Sequence, residues 1–406
     1  METVKVFQIG LHDFGRHGFE KFIELQNHYS RVNVELAGVC DLDIEKLKNA
    51  EKFASSQDVE PEFFTSVEDI YEAAEKAAEG DQKVMIYDAG PADLHAEHIY
   101  RSLRHGFFHL AEKPPSMTRE DHIKEKKLML DNDVRYTVDF IERESPVIKK
   151  ISSMIQDEEI DSIEAFREST LGIQKILQPV KNSGVEGGAV LDKMCHEAYI
   201  MDLVDTDLEV EDVEKSLQMP FERNGDSFMT TESGKVHSLS NKVAEGQCTA
   251  HLSGTTDVTL HASWLGCSDK CKEASENINS KTGHEPINRS FQVFNGSGVS
   301  DEEACFLIIK GERDLFGDLL NNRLFDLETG EELEVPSLLH DRLYRALESS
   351  VNCAAGLENN NLSEDELDSF MNLIFDISEH TEETDEFETL KASNERIDEL
   401  VADKNI

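Results

Sequence analysis

Val4-Lys5-Val6-Phe7-Gln8-Ile9-Gly10-Leu11-His12-Asp13-Phe14-Gly15 is the stretch that decides the fold class. A short apolar run ends on glycine, and helical periodicity follows from Gly15 to about Gln26. A strand that turns through glycine into a helix is how a dinucleotide-binding βαβ unit begins. The pattern departs from G-x-G-x-x-G at its middle position, where His12 carries a Cβ and demands a looser backbone fit to a pyrophosphate. The helix start after Gly15, with Arg16 beside it, supplies positive potential for an anionic ligand. A second apolar run, residues 34–41, ends on Asp41. An acid there accepts hydrogen bonds from adenosine ribose hydroxyls and repels a 2′-phosphate. The competing reading of Asp41 is a turn residue or helix cap before Leu42. No Lys or Arg directly follows it, so NAD is favoured as cofactor, with NADP second.

Outward from this turn, strands and helices alternate. Residues 42–53 and 67–78 read as helices, and 83–88 as a buried strand. Ala89-Gly90-Pro91 leads into a helix containing His95, followed by strands at 107–111 and 134–140. That spacing predicts right-handed βαβ units and a parallel sheet, a Rossmann-type α/β domain over residues 1–145. After Pro146 the character changes. A helix at 147–155 precedes an alternating strand at 160–170, and short alternating strands follow at 227–232, 247–252, 258–264, 290–294, 304–310 and 323–327. They predict an α+β domain over 146–380 with a large open, mostly antiparallel sheet. Helices at 338–355 and 364–379 are expected to pack back on the first domain, ahead of an acidic segment at 381–406. An open sheet with one apolar face needs covering, which a homodimer or homotetramer would provide.

Gly187-Gly188-Ala189-Val190-Leu191-Asp192-Lys193-Met194-Cys195-His196 carries the other chemistry. A double-glycine turn feeds an apolar helix start, and Asp192 and His196 stand at i and i+4, on one helical face. A carboxylate beside an imidazole suits proton transfer. Alone the spacing is common, and the plain alternatives are a capping Asp192 and a satisfied, partly buried histidine. It gains weight from Ala111-Glu112-Lys113-Pro114-Pro115 at the end of a predicted strand.

Composition narrows the partners. The chain of 406 residues has 84 Asp plus Glu against 40 Lys plus Arg, a formal net charge of −44. The acids are spread through every segment among ordinary apolar cores, which argues against disorder and for a hydrated, self-repelling surface of the haloarchaeal type. Nucleic acid and anionic membranes are poor partners for it. Seven scattered cysteines fit a reducing cytoplasm. Cys267 and Cys271 form a C-x3-C pair without a second ligand pair in reach, so they read as isolated thiols and no metal is expected. The chain runs straight into a strand, so no signal peptide is expected, and no apolar run approaches a membrane span.

Taken in order over about residues 1 to 330, these motifs resemble the Gfo/Idh/MocA family of glucose–fructose oxidoreductase and inositol dehydrogenase. The resemblance rests on the glycine turn, Asp41, Gly90-Pro91 with His95, Gly106 ahead of Glu112-Lys113-Pro114, Arg143-Glu144-Ser145-Pro146, and Gly187-Gly188 with Asp192 and His196. It implies catalytic roles for Lys113, Asp192 and His196, and a cofactor side formed by Gly10, His12, Gly15, Asp41, Pro91, His95 and Glu112. Arg143, Lys175 and Lys193 are expected toward the substrate, Lys175 within a loop at 172–186. Tyr199 departs from the acid usual three residues after the histidine. The activity implied is NAD(P)-dependent oxidation of a secondary alcohol or anomeric carbon in a sugar or cyclic polyol. The alternatives are a redox-neutral enzyme that uses tightly held NAD for glycosidic cleavage or epimerisation, and a non-catalytic nucleotide-binding regulator.

Overall fold

Residues 2–79, 82–156, 158–169, 188–204, 207–221, 242–264, 266–294, 297–337, 339–357 and 362–380 are described by the computed structural model. They form two compact units, Met1–Glu144 with Leu338–Asp368, and Ser145–Ser337 with Ser369–Ile406.

The first unit is built on a six-stranded parallel sheet in the order β3-β2-β1-β4-β5-β6. Its strands are β1 (Thr3–Ile9), β2 (Asn33–Cys40), β3 (Glu62–Phe64), β4 (Lys83–Asp88), β5 (Phe108–Ala111) and β6 (Tyr136–Val138). Helices α1 (Asp13–His28), α2 (Ile44–Ser56), α3 (Val67–Ala78), α4 (Ala92–His105) and α5 (Arg119–Asn132) connect them. The strands read as continuous apolar runs because both sheet faces are covered. One face packs Val4, Val6, Phe19, Phe22, Val34 and Leu36 into a core; the other packs Phe7, Ile9, Ile70, Tyr71 and Ile86. A late helix, α9 (Arg342–Ala354), joins the first core through Leu343, Leu347 and Val351. Polar contacts reinforce it: Tyr29 donates to Asn352 (2.6 Å), and Lys21 pairs with Asp341 (2.6 Å).

The second unit carries a nine-stranded sheet ordered β15-β14-β13-β12-β7-β10-β9-β8, with β11 pairing β12. Its strands are β7 (Ile160–Ser169), β8 (Glu209–Phe221), β9 (Lys242–Ser253), β10 (Asp257–Ser263), β11 (Asn288–Phe294), β12 (Ser297–Gly311), β13 (Leu315–Asp318), β14 (Arg323–Asp326) and β15 (Glu332–Leu333). Within this sheet only the β7–β10 pair is parallel among the described strands; its other pairs are antiparallel. Helix α6 (Pro146–Ile155) lies against β13, and α7 (Gly188–Lys193) against β9 and β10. Helix α8 (Asp269–Thr282) packs with Phe166, Phe306, Phe316 and Phe325. Beside that cluster the sheet carries a polar ladder, in which the His261 ring meets Glu164 (3.0 Å) and Thr249 (3.0 Å).

The strand expected at 227–232, the loop at 172–186 and the acidic segment at 381–406 lie outside the described residues. Strands β3, β8, β13 and β15 and helices α5 and α8 were not foreseen, and β8 and α8 show why. Strand β8 is broken by bulged register around Val210 and Asp212, which blurs its alternation. Helix α8 buries only Cys271, Ala274, Ser275 and Ile278, a face of mostly small residues with little hydrophobic signal. The last described helix, α10 (Glu364–Glu379), matches the expected range.

Candidate active site

In the first unit the glycine turn is held by backbone contacts that leave no room for side chains. Gly10 sits at φ +90°, and a Cβ there would lie 2.3 Å from the Ala89 carbonyl oxygen. At Gly15 it would lie 2.6 Å from the Gly10 carbonyl oxygen. Gly10 N donates to Cys40 O (2.8 Å) and Ala89 N to Ile9 O (2.8 Å), so the turn, the end of β2 and the end of β4 form one edge. The Asp41 carboxylate ties them further, accepting from Leu11 N (2.7 Å) and Asp43 N (2.8 Å). The N-cap of α2 is Asp43 rather than Asp41.

The helix starts differ in a telling way. Helices α2, α3 and α5 are capped by Asp43, Ser66 and Thr118, whose side chains accept from first-turn amides. Helices α1 and α4 begin at His12 and Pro91 with no side-chain cap. Both follow the strands β1 and β4 that meet at the glycine turn. No side chain caps either first turn, although Leu94 N in α4 turns back on Pro91 O (2.8 Å), so the positive ends of both helices face the glycine turn without a neutralising side chain.

Gly90, Pro91 and His95 link this edge to the Glu-Lys-Pro segment. The His95 ring, 1 % exposed, faces Pro114 O through Nδ1 (2.8 Å) and Gly90 O through Nε2 (3.0 Å). The Lys113–Pro114 peptide bond is cis. Gly90 N donates to Asp88 Oδ1 (3.0 Å), and Asp88 Oδ2 is 2.7 Å from His98 Nδ1. Burial alone would raise the Asp88 carboxyl, but His98 and His95 outweigh it and hold it well below the usual range. Burial disfavours a charged His98, yet Asp88 raises that ring above its ordinary value. His109, fully enclosed beside them, is pushed down by burial to about 3.

Behind Lys113 lies a group of buried acids that the sequence reading passed over. Tyr87 donates to Glu112 Oε1 (2.7 Å), and the buried Glu112 and Asp139 carboxyls influence each other, with no hydrogen-bond donor reaching either Asp139 oxygen among the described residues. Asp139, Glu142 and Glu144 are all buried. Burial drives Asp139 well above the usual carboxylate range, and Glu112, Glu142 and Glu144 push it further; burial also raises Glu112. Two buried carboxyls that repel each other's charge favour the neutral form of at least one. The available signal was Asp139 standing inside the apolar run Val138, Phe140 and Ile141. Arg143 follows in a 3₁₀ turn, Ile141–Glu144.

In the second unit, Asp192 and His196 do not share one regular α-helix. Helix α7 ends at Lys193, and a 3₁₀ stretch, Met194–Asp202, carries His196. The i, i+4 alignment expected for 3.6 residues per turn is thus altered. Asp192 is 8 % exposed and accepts from Trp264 Nε1 (2.7 Å), the chain's one tryptophan, while His196 is half-buried. Lys193 donates to Ser169 Oγ (2.9 Å). Tyr199 is buried against Glu197, which pairs with Arg167 (2.6 Å) and anchors the back of this segment. Lys175 lies outside the described residues.

No family model and no curated protein matches this chain. Solved structures do. UDP-N-acetylglucosamine 3-dehydrogenase GnnA from Acidithiobacillus ferrooxidans is 17 % identical with a TM-score of 0.59, over 93 % of this chain and 97 % of that one. The WlbA dehydrogenase from Bordetella pertussis, in complex with NADH and UDP-GlcNAcA, is 15 % identical with a TM-score of 0.61 over 93 % and 97 %. Levoglucosan dehydrogenase, in complex with NADH and levoglucosan, is 13 % identical with a TM-score of 0.62 over 98 % of both chains. The fold is shared. These neighbours are sugar dehydrogenases of the Gfo/Idh/MocA type.

Proposed function

We propose that this chain is an NAD(P)-dependent oxidoreductase that transfers a hydride between nicotinamide and a secondary alcohol or anomeric carbon of a sugar or cyclic polyol. The observation that carries the reading is the pair of uncapped helix starts, α1 and α4, at the Gly10 turn beside the Asp41 carboxylate. The positive ends of two helix dipoles without side-chain caps suit a pyrophosphate, and within a protein of net charge −44 such local positive potential is needed to hold one. The tight backbone around Gly10 and Gly15 and the acid after β2 fit the same ligand, and the sugar dehydrogenases that share the fold support it.

Gly10, His12, Gly15, Asp41, Pro91, His95 and Glu112 would hold the dinucleotide, NAD in preference to NADP, and a bound nicotinamide supplies the hydride acceptor. The remaining chemistry belongs to the chain. His196 takes the hydroxyl proton as carbonyl character develops. Lys113, as an ammonium, polarises the same oxygen and balances its growing negative charge. Asp192, oriented by Trp264, positions His196 or binds a neighbouring hydroxyl. Arg143, Lys175 and Lys193 are assigned to the substrate side. A homodimer or homotetramer, a cytoplasmic location and a halophilic character complete the proposal.

The test is a panel of sugars and inositols assayed with NAD and NADP in molar KCl. His196→Asn should lower the chemical step by about 10² to 10⁴, with cofactor affinity nearly unchanged. Lys113→Ala should cost a similar factor. Near-normal turnover in both variants would remove the proposed chemistry, and equal loss of cofactor binding in both would make these residues architectural.

A further inference from the structure

The two cysteines that the sequence presents as isolated thiols have an acidic neighbour from a distant strand. Glu168 near the end of β7, Cys267 just before α8 and Cys271 in its first turn place a carboxylate oxygen and two sulfurs within 4.8 Å of one another. All three are buried: Glu168 is 1 % exposed, Cys267 6 % and Cys271 0 %. Two features of the surroundings bear on what this trio does.

The first is charge. Among the described residues Glu168 has no Lys or Arg ion-pair partner; its carboxylate accepts from Ser268 Oγ (2.8 Å) and Ser268 N (2.5 Å). Those two hydrogen bonds satisfy the carboxylate without neutralising it, and a buried charge beside two sulfurs is costly without a cation. The second is orientation. Ser268 fixes the carboxylate from outside while its hydroxyl also caps Cys271 N (3.1 Å), the kind of outer contact that aims a ligand at a metal. C-x3-C lies within the spacing of structural zinc sites, and ligand atoms within 4.8 Å of one another can close around an ion held by tetrahedral Zn–S and Zn–O bonds of about 2.3 and 2.0 Å.

We propose that Glu168, Cys267 and Cys271 form a binding site for a thiophilic divalent cation, Zn²⁺, which fastens α8 to β7. On binding, each thiol gives up its proton to solvent, so one cation enters and two protons leave. Two thiolates and a carboxylate then carry three negative charges against two positive ones. The residual charge sits at the N-terminus of α8, where the helix dipole favours it. Cys267, the most exposed of the three, provides the entry side, and water completes the tetrahedron there. The site is independent of the proposed oxidoreductase chemistry, because none of its residues is assigned to substrate or dinucleotide.

The full chain, reduced and freed of metal in molar KCl, is titrated with Co²⁺ and then Zn²⁺. One Co²⁺ per chain should bind with a thiolate-to-cobalt charge-transfer band in the near ultraviolet and release of two protons, and Zn²⁺ should displace it. Cys267→Ser and Cys271→Ser should each abolish the band, Ser268→Ala should weaken affinity by about 10- to 100-fold, and Cys353→Ser should leave it intact. Far-ultraviolet circular dichroism checks that each variant is folded. Wild-type protein that gives no band with excess Co²⁺ overturns the proposal, and so does a band that survives in both folded cysteine variants. The wild-type titration alone decides the matter should those variants fail to fold.

Discussion

Asp139 shows what single residues contribute beyond a motif. Its carboxyl is buried behind Lys113 and raised by burial and by Glu112, Glu142 and Glu144, with Tyr87, Lys113 and His95 also facing the Glu112 partner. In the unfolded chain an aspartate releases its proton near pH 4. The folded state therefore binds more protons at every pH between that value and the raised one. Stability is greatest below this window and falls as pH rises through it, by at most about 1.4 kcal/mol per unit. Asp139→Asn removes the ionisation, so unfolding midpoints measured from pH 5 to 9 in molar KCl should fall less steeply than in wild type. An unchanged slope would refute the raised Asp139 carboxyl. Asp41 belongs to the same scale, because its carboxylate sits at the edge formed by Leu11 and Asp43. Asp41→Ser should weaken NAD and relatively improve NADP, read as the ratio of the two dissociation constants; a wild-type preference of tenfold or more for NADP would displace Asp41 from the ribose. Gly10 and Gly15 were legible because glycine at a strand-to-helix turn answers a local steric demand. Trp264 was not, since it reaches Asp192 across 72 residues through β10 and α7. No local pattern encodes such a pairing.

At the scale of elements, the parallel half of the fold was the more readable. Its strands are buried on both faces, and helices such as α3 and α4 announce themselves through the Ser66 cap and the left-handed Gly106, whereas α5 was missed despite its Thr118 cap. Helix α8 carried the same punctuation, Ser268 at its start and Gly283 at φ +71° at its end, but its small buried face hid it. The two kinds of glycine separate experimentally. Gly106 has φ +76° with nothing within 4 Å of an added Cβ, so Gly106→Ala costs only the left-handed backbone, about 1 kcal/mol. At Gly10 the same methyl meets Ala89 O at 2.3 Å and must move β4 or the turn. Gly10→Ala should therefore cost several times more stability and weaken dinucleotide binding, whereas Gly106→Ala leaves binding intact. Equal losses of stability from the two would mean that the Gly10 turn is not sterically closed. Comparing denaturation midpoints and NAD titrations of the two variants tests this directly.

For the whole molecule the dominant fact is the excess of 84 acids over 40 basic residues. Among the described residues some of the basic side chains sit in surface pairs such as Lys48–Glu45, Lys124–Glu120 and Arg323–Glu332. Exposed pairs of this kind contribute about 0 to 1 kcal/mol each and weaken as salt is added. If they governed stability, the protein would be most stable in dilute buffer. The net charge of −44 acts in the opposite sense. Its repulsion extends over a screening length of about 30 Å at 0.01 M salt and contracts to about 3 Å at 1 M, where only adjacent carboxylates still interact. The sum over many unpaired acids outweighs a handful of weak pairs, so the folded state should gain stability with salt. Thermal unfolding followed from molar KCl down to tens of millimolar should show a large, progressive fall in Tm. Sucrose, which favours compact states without screening charge, should recover only part of that loss. A Tm independent of KCl would show that repulsion is not limiting, and full recovery in sucrose would assign the effect to solvent exclusion instead.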